Sequence, residues 1–154
     1  MRRGGGMKRG LRGDMAFDTG VLLEFFSGSR AGEVVYRAMR ERRVFPLITE
    51  LNLVELHYVL CRKVGFEDAS QKVSALVESG CIQVVETGRV SQRAARLKCE
   101  RSISLADCFT IALGEEMGIP ALFARREKEL LTELDRRPFE VPILFLDEIL
   151  DAQP

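Results

Sequence analysis

At 154 residues the chain has the length of one domain, enough to bury a core of its own and too little for two domains of ordinary size. Hydrophobic residues at 46% and charged residues at 30% describe a protein that folds in water, and no apolar run reaches the ~18 residues of a membrane span, so a cytoplasmic protein with no membrane partner is expected. The 23 basic and 23 acidic side chains cancel, but residues 1–14 (MRRGGGMKRGLRGD) hold five basic groups and one acid, which leaves the rest of the chain net acidic. A polyanionic partner must therefore be met by a local basic surface.

The basic segment is rich in Gly and Arg and nearly free of apolar side chains, so it cannot offset the entropy of its own ordering. It is expected to be a disordered extension, 1–14, ahead of a single domain over 15–154; a nucleic-acid-binding arm is the other reading. It has no apolar core of a secretion signal. Cys61, Cys81, Cys99 and Cys108 show no C-x-x-C spacing and His57 is the only histidine, which argues against zinc. The cysteines read as free thiols acting as small hydrophobes. A Cys–His nucleophilic pair lacks an identifiable third, orienting group.

In chain order, Met15 to Phe17 is a short apolar run that reads as a strand and delivers one carboxylate, Asp18. Thr19-Gly20 breaks the pattern, and Val21 to Phe26 resumes it at helical spacing. Ser27-Gly28-Ser29 turns the chain into a helix over 32–43. Val44 to Ile48 reads as a second strand, and Thr49 as the N-cap of a helix over 50–64 that is apolar nearly all round and so expected at the centre of the fold. A helix over 67–79 closes at Gly80. A strand at 81–85 and a helix over 91–100 follow, the latter with Arg89, Arg93, Arg96 and Lys98 on one side, either a solvated face or a contact for phosphates. Ser104 caps a helix running to about Met117. Gly118-Ile119-Pro120 leads into a strand at 121–124, a polar helix begins in RREKELLTEL, and a strand at 143–146 precedes a short helix ending at Asp151. Strands alternating with helices predict an α/β fold with a parallel sheet covered on both faces.

Four acids stand at the start of, or inside, otherwise apolar elements. Asp18 ends a strand, where ligands gather in open α/β sheets, yet an Asp before a helix also caps it. Glu55 lies in the central helix and needs a partner, which is either Arg62 one or two turns away or a metal or substrate. Asp107 completes an S-x-x-D capping box with Ser104 and is also aligned with Thr110, Ile111 and Gly114, an inward-looking line in which small residues leave room beside the acid. Glu127 and Glu129 fall in a first helical turn, where acids complement the helix dipole. Carboxylates gathered in one cleft raise one another's pKa unless a cation neutralises them, and oxygen-only ligands suit a hard divalent ion.

FDTGVLLEFF, then TELNLVEL, then SLADCFTIALGEEMGIPALFA, in that order and spacing, resembles the PIN-domain nucleases, particularly the VapC-type toxins of toxin–antitoxin pairs. The resemblance spans about Met15 to Leu146. It implies a three-layer α/β/α sandwich around a central parallel sheet, and a metal-dependent endoribonuclease whose carboxylates hold Mg²⁺ or Mn²⁺. Residue by residue, Asp18 matches the family's first acid, Glu55 the second and Asp107 the third. The fourth departs from the family's T-x-D pattern; in ALFARREKEL the best match is Glu127, with Glu129 the fallback. The implied partners are an RNA substrate, an antitoxin protein and a second copy of the chain in a homodimer. The competing reading is a non-catalytic PIN-like scaffold for RNA or protein. No G-x-G-x-x-G follows the first strand and no G-x-x-x-x-G-K is present, which argues against a nucleotide-binding enzyme.

Overall fold

The structure, a computed structural model, describes residues 10–152. Its strands are β1 (Gly13–Phe17), β2 (Val44–Thr49), β3 (Gln83–Val85), β4 (Ala121–Phe123) and β5 (Ile143–Phe145). The helices are α1 (Thr19–Ser27), α2 (Arg30–Arg40), α3 (Glu50–Val64), α4 (Phe66–Glu78), α5 (Thr87–Glu100), α6 (Leu105–Met117), α7 (Lys128–Arg136) and α8 (Leu146–Asp151). The five strands form one sheet in the order β3-β2-β1-β4-β5, and every pairing is parallel.

Strand alternation sends successive side chains to opposite faces, and each face meets its own helices. Met15 and Phe17 of β1, with Val44 and Ile48 of β2 and Leu122 of β4, join a core completed by α1, α2, α3, α4 and α8. Ala16, Leu47, Ala121, Phe123 and Phe145 point the other way, into a core closed by α5, α6 and α7. The expected three-layer sandwich is therefore the observed one. Among the described residues, no helix is long and apolar enough to cross a membrane.

Three expectations are corrected. The fold begins before Met15: β1 starts at Gly13, which pairs with Val44, and Leu11 is 5% exposed within the first core. Residues 1–9 of the expected extension lie outside the described residues. Second, α3 is not central on all sides. Only Asn52, Leu56 and Leu60, four residues apart along one stripe, are fully buried, while Val54 and Tyr58 are exposed. Its apolar composition spans two surfaces, one against the core and one toward solvent. Third, Cys99 is exposed and Cys81 precedes its strand; all four thiols are free. His57 donates to or accepts from Ser70 Oγ at 2.8 Å and stacks on Phe66, so it serves the α3–α4 contact and no cysteine.

Candidate active site

The chain passes from β1 to β2 and β3 on one side of the sheet, then returns to lay β4 and β5 on the other. The carboxyl ends of β1 and β4 thus mark the point where the strand order reverses, which is where a parallel sheet leaves a crevice. Asp18 is the first residue past β1, and its backbone N–H donates to Leu122 of β4 at 2.9 Å. Its Oδ2 accepts from the Gly20 N–H at 3.1 Å, so it does cap α1. Capping and chemistry are compatible here because one N–H leaves most of the carboxylate's accepting capacity unused. Gly20 itself leaves no spare room: a Cβ there would stand 3.2 Å from that same Oδ2 and 3.2 Å from the Ala124 Cβ.

Asp107 lies in the first turn of α6, where its N–H donates to the Ser104 cap at 3.1 Å. The expected space beside it has another use: a Cβ at Gly114 would meet the Ile119 carbonyl at 2.8 Å, so this glycine admits the chain entering β4. Glu55, half-buried on α3, does not pair with Arg62, whose guanidinium carbon sits 5.0 Å from the centre of the Tyr58 ring. Glu127 is the residue before α7, not in its first turn, and its side chain makes no capping hydrogen bond.

The acids act on one another. Burial raises the Asp18 carboxyl to about 7, helped by the charges of Asp107 and Glu55 and opposed by the Gly20 N–H. Burial likewise raises Asp107 to about 6, followed by the charge of Glu127; Ser104 lowers it, and Glu55 and Glu129 raise it further. Asp107 therefore lies within the field of Glu55, Glu127 and Glu129 and itself acts on Asp18, with Glu127 a larger influence than Glu129. Among the described residues, none of the ion pairs includes Asp18, Glu55, Asp107, Glu127 or Glu129. No three acid, histidine or cysteine side chains among them stand close enough to enclose an ion as placed. The donor set, all carboxylate oxygen and short of cations, nevertheless fits a hard divalent ion.

A residue outside the sequence reading ties these elements together. Asn52 is fully buried, and its Nδ2 donates to Thr19 Oγ1 at 3.3 Å and to the Ala106 carbonyl at 3.4 Å. Its Oδ1 accepts from Thr49 Oγ1 at 2.6 Å, while Thr19 Oγ1 donates to the Asn52 carbonyl at 3.1 Å. Thr19 and Ala106 are the neighbours of Asp18 and Asp107, and Asn52 precedes Glu55 by three residues on one helix. One amide thus locks together the starts of α1, α3 and α6, each of which carries or adjoins one acid. Its sequence signal was a polar side chain within an apolar helical stripe, three residues after a Thr cap.

A model of the PIN domain matches residues 15–139. The chain belongs to the PIN-domain family. No curated protein matches it as a sequence relative. Among solved structures it is similar to VapC20 of Mycobacterium tuberculosis, a sarcin-ricin-loop-cleaving toxin, at 19% identity and TM-score 0.61 over 77% of this chain and 94% of that one. It is similar to a DNA-bound VapBC of Salmonella typhimurium at 15% identity and TM-score 0.60, over 88% and 98% of the two chains. For VapBC2 of Rickettsia felis, bound to a promoter DNA fragment, the values are 11%, 0.63, 86% and 98%. The fold of this PIN domain is that of the VapC toxins.

A cavity of about 730 Å³ lies apart from these acids, between Arg89, Arg93 and Arg96 of α5, Glu115 of α6 and Arg137. Most of its charges pair with one another. Arg93 pairs with Glu115, Glu116 and Glu140, Arg96 and Arg137 pair with Glu100, and Lys98 donates to the Ile103 carbonyl. On the basic face of α5, Arg93, Arg96 and Lys98 thus have partners within the fold, while none of the ion pairs among the described residues includes Arg89. A second cavity opens beside Asp18 and Glu127.

Proposed function

We propose that this PIN domain is a metal-dependent endoribonuclease that hydrolyses RNA phosphodiester bonds, the toxin of a toxin–antitoxin pair. The observation that supports this reading is that Asp18, at the switch point of the sheet, lies within the field of Glu55 and Asp107, and that none of the ion pairs among the described residues includes any of the three. These three would hold Mg²⁺ or Mn²⁺, with Glu127 as the fourth acid and Glu129 as its fallback. Such an ion supplies a water of lowered pKa and stabilises charge on phosphate oxygens. The chain's own part is to hold the acids in register through Asn52, and to keep α1 and α6 starting at the crevice. The likeness to VapBC structures supports an antitoxin protein as partner, and a homodimer is the assembly we expect for it; an exposed apolar stripe on α3, with Val54 and Tyr58, is available to such contacts.

The spacing of the acids as placed also suits a second reading, a non-catalytic scaffold that binds RNA or protein. Asp107→Asn separates the two. It keeps the side-chain shape and the Ser104 cap, so the fold survives, while the most central carboxylate is lost. With Mg²⁺ or Mn²⁺ supplied, cleavage of a single-stranded RNA is expected to fall by about 100-fold or more. Equal rates for wild type and variant, or no cutting by either, would favour the scaffold.

A further inference from the structure

Beside Asp18 a cavity of about 430 Å³ opens between α1 and the exit of β4. Asp18 and Glu127 belong to its wall, and two cations reach it from separate elements: Lys63 from the end of α3 and Arg125 from the segment after β4. The fold makes little use of either. Lys63 is exposed and takes part in none of the ion pairs among the described residues. The Arg125 side chain is 75% exposed, and its one ion pair among the described residues is with Glu24 across the cavity, at 3.4 Å. Glu24 is fixed in turn by Ser29 Oγ, which donates to its other oxygen at 2.6 Å.

An exposed pair of this kind adds little to stability. It does hold a guanidinium at the cavity mouth, with N–H groups left over for the paired, planar recognition that a phosphate offers. Contrast Arg126, the next residue, whose guanidinium is engaged by Asp147 at 3.2 Å and by Asp151 at 2.7 Å and which serves to fasten α8. The domain is net acidic and its candidate site is more so, which repels a polyanion; a substrate strand needs a local positive grip to remain beside Asp18.

We propose that Lys63 and Arg125 form a phosphate-binding subsite that holds the RNA backbone at a linkage neighbouring the one to be cut. This rests on the nuclease reading only for where the cut falls. The subsite is a property of binding and can be measured without cleavage.

The experiment uses the full chain in an Asp18→Asn background, titrated against a fluorescein-labelled single-stranded RNA of mixed sequence and read by anisotropy at several salt concentrations. Arg125→Ala and Lys63→Ala are each expected to weaken binding by about tenfold and to lower the slope of log affinity against log salt by ~0.7 for each phosphate no longer neutralised. Arg125→Lys, which keeps the charge, should recover part of the loss, and Arg96→Ala, on the compensated α5 face, should bind within about twofold of the parent. Thermal melts of every variant report whether it is folded. In a cleavage assay of the chain with Asp18 restored, the two alanine variants should raise KM while leaving kcat nearly unchanged.

RNA binding with these dependences but no cleavage by the intact chain would sink the nuclease reading and leave the subsite standing. Cleavage by a chain whose Arg125→Ala and Lys63→Ala variants bind as the parent does, or lose no more than Arg96→Ala, overturns the subsite and leaves the nuclease. Absence of RNA binding by the parent overturns both.

Discussion

Around Arg101, acids and arginines neutralise each other; at the carboxyl edge of β1 and β4, carboxylates face carboxylates. Arg101 is buried, with its guanidinium donating to the carbonyls of Glu133, Arg137 and Pro138 at 3.2, 2.5 and 2.9 Å, and it lies 4.0 Å from the centre of the Phe139 ring. Nearby, hydrogen bonds from Arg96 and Arg137 hold the Glu100 carboxyl below the usual range, and one from Arg136 does the same for Glu133. Asp18 and Asp107 move the opposite way. Both regions are rich in charge, yet one is a clamp on the segment between α7 and β5 and in the other the acids raise one another's pKa and take part in no ion pair among the described residues. Functional character here lies in lack of compensation, not in abundance of charge.

The comparison can be broken from either side, and the clamp should give the larger energy. Replacing Arg101 with Met leaves three carbonyls without their donor in a buried setting, so a loss of about 3 kcal/mol in denaturant unfolding is expected. RNA cleavage per folded molecule should be unchanged. A variant as stable as wild type would show that Arg101 merely fills space.

At the acid cluster the sign reverses. The Asp18 carboxyl, ordinarily near 3.8, is raised to about 7 in the folded chain. The folded state therefore holds a proton that the unfolded chain has released, and stability falls as pH rises from about 4 toward 7, with the full cost present above that. Asp18→Asn keeps the cap and removes the charge. In EDTA at pH 8 it should stabilise the protein by on the order of 1–4 kcal/mol, and at pH 4 it should change nothing. A destabilised variant at pH 8 would mean that Asp18 is already compensated. Added Mg²⁺ should narrow the difference by stabilising wild type alone.

Asn52 joins three acid-bearing helix starts without touching the chemistry, so its loss tests whether their register matters. Asn52→Ala strands Thr19, Thr49 and the Ala106 carbonyl, and a cost of about 1–3 kcal/mol is expected in a thermal melt. Cleavage at a temperature where the variant is fully folded should fall as well, by about 10-fold. Full activity in the folded variant would leave Asn52 a stability residue only.

The smallest effect concerns the fourth acid. Glu127 has no capping hydrogen bond to lose, so Glu127→Gln should hold or slightly raise stability, while the Mg²⁺ concentration for half-maximal cutting rises a few-fold. Glu129→Gln, in the first turn of α7, serves as its control and should move neither quantity. Equal metal dependence in all three proteins would leave a site of three carboxylates.

The parallel α/β fold was legible from the alternation of short β-branched or apolar runs with helical stripes, because both periods are local properties of the chain. The bounds 50–64 for the third helix could be read outright, since Thr49 caps it and Gly65 ends it. Asp18, Glu55 and Asp107 were nameable for the same reason: an acid in an apolar context stands out in one dimension. The start of β1 was misjudged because Arg12, Gly13 and Asp14 have no strand pattern of their own, and Gly13 and Asp14 become strand by pairing with Val44 and Phe45.

What one dimension could not hold were partners. Arg62 stands seven residues from Glu55 on the same helix, but its guanidinium finds a ring and not the carboxylate. The apolar residues of α3 say nothing of which side a neighbour covers. Asn52 and Arg101 became important only when partners 33 to 54 and 32 to 37 residues away closed around them. The sequence by itself determined the strands, the helices and the acids, through propensity and pattern. Tertiary structure alone decided which charges meet an opposite and which are left facing their own kind, because Coulomb and hydrogen-bond energies depend on distances that chain folding sets.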